Sequence, residues 1–362
     1  MEISPPDQTS VSHGSPENAT VARGLRIHER HERHLMTKLL HIALRPFKPS
    51  LTRPKKVAPE VARLKAPKKT QKLCTVTEVE IDGVWIYDLA LKKPLETQCL
   101  SNGQRRRRIV YFAGGSWQML PATQHWAFCT ELVRRLDGTR VTIVSCPLAP
   151  KNPVSVAFPR IENTYKKILA ESTEEGENVI VAGDSSGGNI ALCVVLWSLK
   201  HQEHETTKPP VALLVISPTT DLRHELETIK QVDKFDPLHT SECINDTAKT
   251  WCPGSVDMPT SDGAESKAQG VEWSFEDPRV SPIQADLSYL VQHGVSVHGL
   301  TGSYDVLEPE AVVFRDKCKE NGVTGEWLSW NGQMHCFPLA FKYGLKESKE
   351  AMDWIVHVLE QH

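Results

Sequence analysis

From Thr75 onward the apolar positions follow two alternating rhythms. Thr75 to Ile81 alternates apolar and polar residue by residue, and Val84 to Leu89 does so again, which predicts two strands in hairpin register. Ile109–Ala113, Val141–Cys146, Val179–Ala182, Val211–Ser217, Val295–Leu300 and Glu326–Trp330 are short apolar runs that read as further strands. Between them, residues 122–136, 156–171, 186–200 and 308–321 carry helical spacing, and a last helix covers 346–360. Strands alternating with helices predict an α/β fold, with a mostly parallel central sheet flanked by helices on both faces. One stretch breaks the rhythm. Residues 222–276 are polar, with Gly, Ser, Pro and Asp, as a cap over a site or a flexible excursion would be.

The first 72 residues differ from this body. Residues 1–22 are rich in Ser, Pro and Thr and read as a disordered leader. Leu35, Leu39, Leu40, Ile42 and Leu44 lie among His34, Lys38, His41 and Arg45, which predicts an amphipathic helix over residues 35–47, ended near Pro46. It suits a membrane surface or substrate entrance as well as packing on the body. Residues 48–72, with their prolines and lysines, read as an extended linker. The chain therefore divides into an arm, 1–72, and a domain, 73–362.

Composition narrows the class without naming a function. Hydrophobic residues make up 40% of the 362 and charged residues 24%, as in an ordinary globular protein. The net charge of -3 leaves no electrostatic footprint for nucleic acid. Fifteen Lys or Arg against six Asp or Glu in residues 1–72 give that arm +9 on an acidic body, enough to meet an anionic membrane or a partner or simply to solubilise it. Nine cysteines show no C-x-x-C pair, and no secretory signal opens the chain, so reduced thiols in an intracellular, cytoplasmic setting are expected. No apolar run is long enough to span a bilayer.

The chemistry concentrates in three segments. Val179 to Asn189 contains Gly183-Asp184-Ser185-Ser186-Gly187, a G-x-S-x-G sequence with a β-rich run before it and a helical run after it. A sharp strand-to-helix turn strains the central Ser185, and Gly183 and Gly187 supply room on either side. The helix N-terminus then directs partial positive charge toward a developing oxyanion. A trypsin-like reading of this segment fails, because Ser186 interrupts G-D-S-G-G and that fold is all-β. Asp305 follows the strand Val295–Leu300 where its carboxyl end should open, and His335 follows the turn after Glu326–Trp330. Ser185, Asp305 and His335 thus occur in the order nucleophile, acid, base. Upstream, Ile109–Ala113 runs into Gly114-Gly115-Ser116-Trp117, a loop whose backbone N–H groups suit an oxyanion.

Together these segments resemble the hormone-sensitive-lipase-like branch of the α/β-hydrolases. That branch carries H-G-G-G upstream of G-D-S-A-G-G; this chain reads A-G-G-S at residues 113–116 and G-D-S-S-G-G at residues 183–188. Pro147-Leu148-Ala149-Pro150 with Pro153, then Ala157-Phe158-Pro159, resemble the branch's L-A-P-E-x-P and downstream region, and Asp305-Val306-Leu307 its D-x-L segment. The likeness runs from about residue 105 to the C-terminus. Tyr111 through Trp117, followed by His125-Trp126, also looks like fungal members related to steryl acetyl hydrolases, some of which sit in secondary-metabolite pathways.

The resemblance implies an α/β-hydrolase fold and a serine esterase or deacetylase acting on small apolar esters, with no metal and no cofactor. It implies Ser185, Asp305 and His335 as the catalytic set and Gly114, Gly115 and Ser186 as oxyanion donors. Ser116, Trp117, Trp126, Trp251 and Phe337 are the candidates for an apolar substrate pocket. Ala113 and Ser116 depart from the branch's loop, which bears on rate and acyl preference. Two other classes share the fold: ligand-binding proteins such as the plant gibberellin receptors, which have lost the catalytic His, and acyl transfer or cyclisation enzymes.

Overall fold

The computed structural model of the chain describes residues 24–48, 54, 57–59, 63–92, 106–201, 207–255 and 273–362. The leader expected over 1–22 lies outside them. The strands are β1 (Leu25–Arg30), β2 (Cys74–Ile81), β3 (Val84–Leu91), β4 (Arg107–Phe112), β5 (Thr139–Ser145), β6 (Asn178–Asp184), β7 (Ala212–Ile216), β8 (Ser296–Tyr304) and β9 (Gly325–Met334). They form one sheet in the order β1-β9-β8-β7-β6-β4-β5-β3-β2. β3 runs antiparallel to β2 and β5, and every other pair is parallel. All of Ala212–Ile216 is buried, as an interior parallel strand covered on both faces must be.

Alternation within each strand sorts side chains into two cores. In β4, Val110 and Phe112 face one core while Ile109 and Tyr111 face the other. The first is covered by α4 (Val154–Glu174), α5 (Ser186–Lys200) and α9 (Glu308–Glu320). The second is covered by α3 (Thr123–Arg135) and α10 (Lys346–Leu359). Arg108 is fully buried, yet its guanidinium is satisfied by Thr142, Glu171 and Asp88.

The expected α/β architecture is therefore present, and so is the β2–β3 hairpin. Three local features go beyond what the residue patterns announced. β1, whose apolar positions are only Leu25 and Ile27, pairs with β9 at the sheet edge. Within the expected linker, Lys68–Leu73 forms a short helix, α2. The described parts of the irregular stretch contain two helices, α6 (Glu227–Asp233) and α7 (Ser241–Trp251). A further short helix, α8 (Ser288–Gln292), precedes β8.

The arm runs from β1 into α1 (Leu35–Leu44), which lies over the carboxyl ends of the strands. Glu347 accepts hydrogen bonds from the His34 N–H and the Thr37 hydroxyl, and Lys48 donates to Asp233 Oδ1 at 2.7 Å. Asp233 also accepts from the Ser241 N–H and hydroxyl, so one carboxylate ties the arm to the start of α7.

Candidate active site

The chain leaves β4 for β5 on one side and then crosses to β6 on the other. A crevice opens outside the carboxyl ends of strands where such a reversal occurs. Here the β4–α3 loop and the β6–α5 turn meet. Ser185 sits in that turn with φ 53° and ψ -125°, a conformation costly for a side-chain-bearing residue. Its N–H donates to the Ile216 carbonyl at 2.9 Å, which helps hold the turn. A Cβ on Gly187 would fall inside contact distance of the Phe112 carbonyl, and one on Gly183 would meet the backbone of Gly187, so both flanking glycines are sterically required.

Asp305 is fully buried just past β8, and His335 is buried just past β9. His335 Nδ1 lies 2.7 Å from Asp305 Oδ2. Burial pushes the Asp305 pKa up, but the neighbouring His335 more than offsets it and holds the carboxyl below its usual value. Burial likewise opposes charge on His335, yet the Asp305 carboxylate raises its pKa well above the ordinary histidine value. Ser185 and His335 line one cavity of about 430 Å³, with Gly115, Leu44, Leu120, Met334, Leu339 and Tyr343 among its walls.

Ser185 also borders a second, smaller void of about 10 Å³. Ser116, Trp117, Thr219, His224, His239, Ile244, Thr247 and Leu307 enclose it. Trp117 is held in place by stacking on Trp251, with ring centroids 5.7 Å apart and planes at 11°. His224 is fixed by Glu310, whose carboxylate oxygens lie 3.0 and 3.1 Å from Nδ1.

The Gly114 amide departs from its expected assignment as an oxyanion donor. The Gly114 N–H donates to Asp184 Oδ1 at 3.0 Å and is not available to a substrate. The N–H groups of Gly115, Ser116 and Ser186 have no protein acceptor among the described residues. The Ser186 hydroxyl accepts from the Trp117 N–H at 3.2 Å and so ties this loop to the start of α5. Asp184 is the anchor on the opposite side: Tyr111 and His125 also reach it. Burial raises the Asp184 pKa, but His125 and these donors bring it below the usual value.

Of the pocket candidates, Ser116 and Trp117 line the small void and Trp251 backs it from behind. Trp126 and Phe337 do not belong to the site. Trp126 packs edge-on against Tyr87, and Phe337 against Trp330, both in the second core. The structure adds residues that the sequence did not single out. His239 packs edge-on against His335 with centroids 4.4 Å apart, and burial with the nearby His335 lowers its pKa to about 3. Asp236 accepts from the Val306, Leu238 and His239 N–H groups and so fixes its loop beside Asp305. Burial, reinforced by Asp305, raises the Asp236 pKa to about 6. Both residues come from the irregular stretch, where no periodicity marked them. Asp184 lay within G-D-S-S-G itself, and that position was its only signal.

A family model described as alpha/beta hydrolase fold matches residues 109–339. An esterase of Acinetobacter venetianus is 28% identical over 244 residues, covering 67% of this chain and 71% of that protein. An esterase of the fungus Gibberella moniliformis is 24% identical, covering 64% of this chain and 67% of its own length. The solved structure of carboxyl esterase 2 from Tuber melanosporum superposes with a TM-score of 0.70 at 19% identity, over 91% of this chain and 99% of that one. An esterase of the bacterial hormone-sensitive lipase family gives 0.67 at 17%, with the same two coverages. At these identities the structural likeness speaks for the fold.

Proposed function

The chain belongs to the α/β-hydrolase family, and from that premise we propose that it is a carboxylic ester hydrolase of the hormone-sensitive-lipase-like branch whose nucleophile is Ser185. The observation that carries the reading is the His335–Asp305 pair at 2.7 Å, facing the same cavity as a serine held in a strained strand-to-helix turn. Asp305 accepts from Nδ1–H and leaves Nε2 as the basic nitrogen of His335. His335 takes the Ser185 proton as Oγ attacks the ester carbonyl. The N–H groups of Gly115, Ser116 and Ser186 receive the oxyanion. His335 then protonates the departing alcohol oxygen, leaving an acyl-enzyme, and afterwards activates the water that releases the acid.

The same chemistry orients the substrate. The leaving oxygen must lie near His335, so the alcohol occupies the cavity of about 430 Å³. The acyl chain points the other way, into the void of about 10 Å³, which holds about one water-sized group. This supports an acetyl or short acyl ester of a larger, mostly apolar alcohol.

The test is labelling with a fluorophosphonate, which reacts with an activated serine. Labelling of wild type, with Ser185→Ala and His335→Ala unlabelled, is the expected result. Turnover of p-nitrophenyl acetate should fall about 10⁴-fold or more in Ser185→Ala. Wild-type turnover in Ser185→Ala would overturn the reading, and a folded wild type that neither labels nor turns over ester would leave a ligand-binding protein on this fold.

A further inference from the structure

α1 is apolar on two opposite faces. Thr37, Leu40, His41 and Leu44 turn inward, and Leu40 and Leu44 pack on the second core. Leu35, Met36, Leu39 and Ile42 turn outward and are 69%, 67%, 51% and 63% exposed. At 100° per residue, Leu35, Leu39 and Ile42 fall within one narrow outward stripe, and Lys38 projects along its flank. Arg45, just past the helix, continues that flank. Both cations are exposed, and neither has an ion-pair partner among the described residues.

A surface helix with a core-facing stripe needs no second one, and four adjacent large apolar side chains in water are unfavourable unless something covers them. What covers them is indicated by the flanking charge and by position. Two exposed cations beside an apolar stripe complement an anionic headgroup layer above acyl chains. Leu44 of the same helix lines the cavity that reaches Ser185, and that cavity's rim carries Leu120 and Tyr343, themselves 36% and 66% exposed. α1 therefore carries the exposed stripe on one side and a wall of the cavity on the other.

We propose that the outer face of α1 is a lipid-binding surface: Leu35, Met36, Leu39 and Ile42 enter the headgroup–acyl boundary of an anionic bilayer, with Lys38 and Arg45 at the headgroups. Lipid binding itself does not depend on the role given to Ser185.

Flotation of the full chain with vesicles tests this. Phosphatidylcholine vesicles containing about 30 mol% phosphatidylserine are compared with phosphatidylcholine alone. Wild type is expected to float with the anionic vesicles, less with the neutral ones, and less in high salt. Leu39→Glu/Ile42→Glu should remain at the bottom of the gradient, with an unchanged circular dichroism spectrum and unchanged fluorophosphonate labelling. Lys38→Glu/Arg45→Glu should bind anionic vesicles about tenfold more weakly or worse. The proposal is overturned if wild type ignores anionic vesicles, or if Leu39→Glu/Ile42→Glu still binds them. It is also overturned if sedimentation shows a dimer that this variant disperses while vesicles bind neither protein, since a second copy then covers the stripe. Vesicle binding that emerges only after removal of residues 1–23 likewise overturns it, with the chain's own leader as occupant.

Discussion

A Cβ on Gly114 would lie 2.7 Å from the Asp184 carbonyl oxygen and 2.9 Å from Ser185 Cβ. Gly114 therefore serves the site by close approach, and its amide serves Asp184. Gly114→Ala must push the loop and the nucleophile apart, and a shift of about 1 Å is enough to lower kcat about 100-fold. Steady-state kinetics on p-nitrophenyl acetate check this; an unchanged kcat would mean that the loop position is irrelevant. His335 gives a second prediction. In the proposed mechanism it must be neutral to take a proton, but Asp305 outweighs burial and raises its pKa. Since a raised pKa delays loss of the proton to higher pH, kcat/KM should rise along an acid limb whose midpoint lies above the ~6.5 of a free imidazole. In Asp305→Asn the limb should move to lower pH and kcat should fall about 10⁴-fold. A wild-type midpoint at or below 6.5 in the pH–rate profile would contradict the assignment.

At the scale of elements, α7 and the loop before it wall the small void that the proposal assigns to the acyl chain. Ile244 of α7 walls the small void and packs with Ile229, Val306 and Leu307. Ile244→Ala should raise the ratio of kcat/KM for p-nitrophenyl hexanoate over acetate about tenfold or more. It should also cost about 2–4 kcal/mol of stability, since Ile244 is buried. An unchanged ratio in a folded variant would place the acyl chain elsewhere. The elements differ in how readable they were. β6 and α5 announced themselves because a strand, a tight turn and a helix are all local patterns. β1 did not, because an edge strand with one buried residue, Leu25, takes its register from Gly325–Trp330 far along the chain.

For the molecule as a whole, the described part of the arm belongs to the folded body. β1 covers the β9 edge, Trp330 Nε1 donates to the Glu32 carbonyl at 2.8 Å, and α1 roofs the cavity with Leu44. Removing residues 1–48 would expose the β9 edge and open the cavity wall. The truncated chain should aggregate more readily and melt at a lower temperature, as light scattering and calorimetry would show. A truncated chain as soluble and as stable as wild type would make the arm an ornament of the fold.

The sequence by itself determined the periods of two and 3.6, hence the layered sheet. It also determined the sterics of Gly183-Asp184-Ser185-Ser186-Gly187, because strain in one turn is a property of neighbouring residues. Chain order then singled out Asp305 and His335 from the other acids and histidines. Only the tertiary structure decided that the Gly114 amide goes to Asp184, that Trp126 and Phe337 are core while Trp117 faces a void, and that His239 and Asp236 stand beside His335 and Asp305. Hydrogen-bond partners, cavity volumes and electric fields depend on distances through space between segments far apart in the chain, and no local pattern of residues encodes those distances.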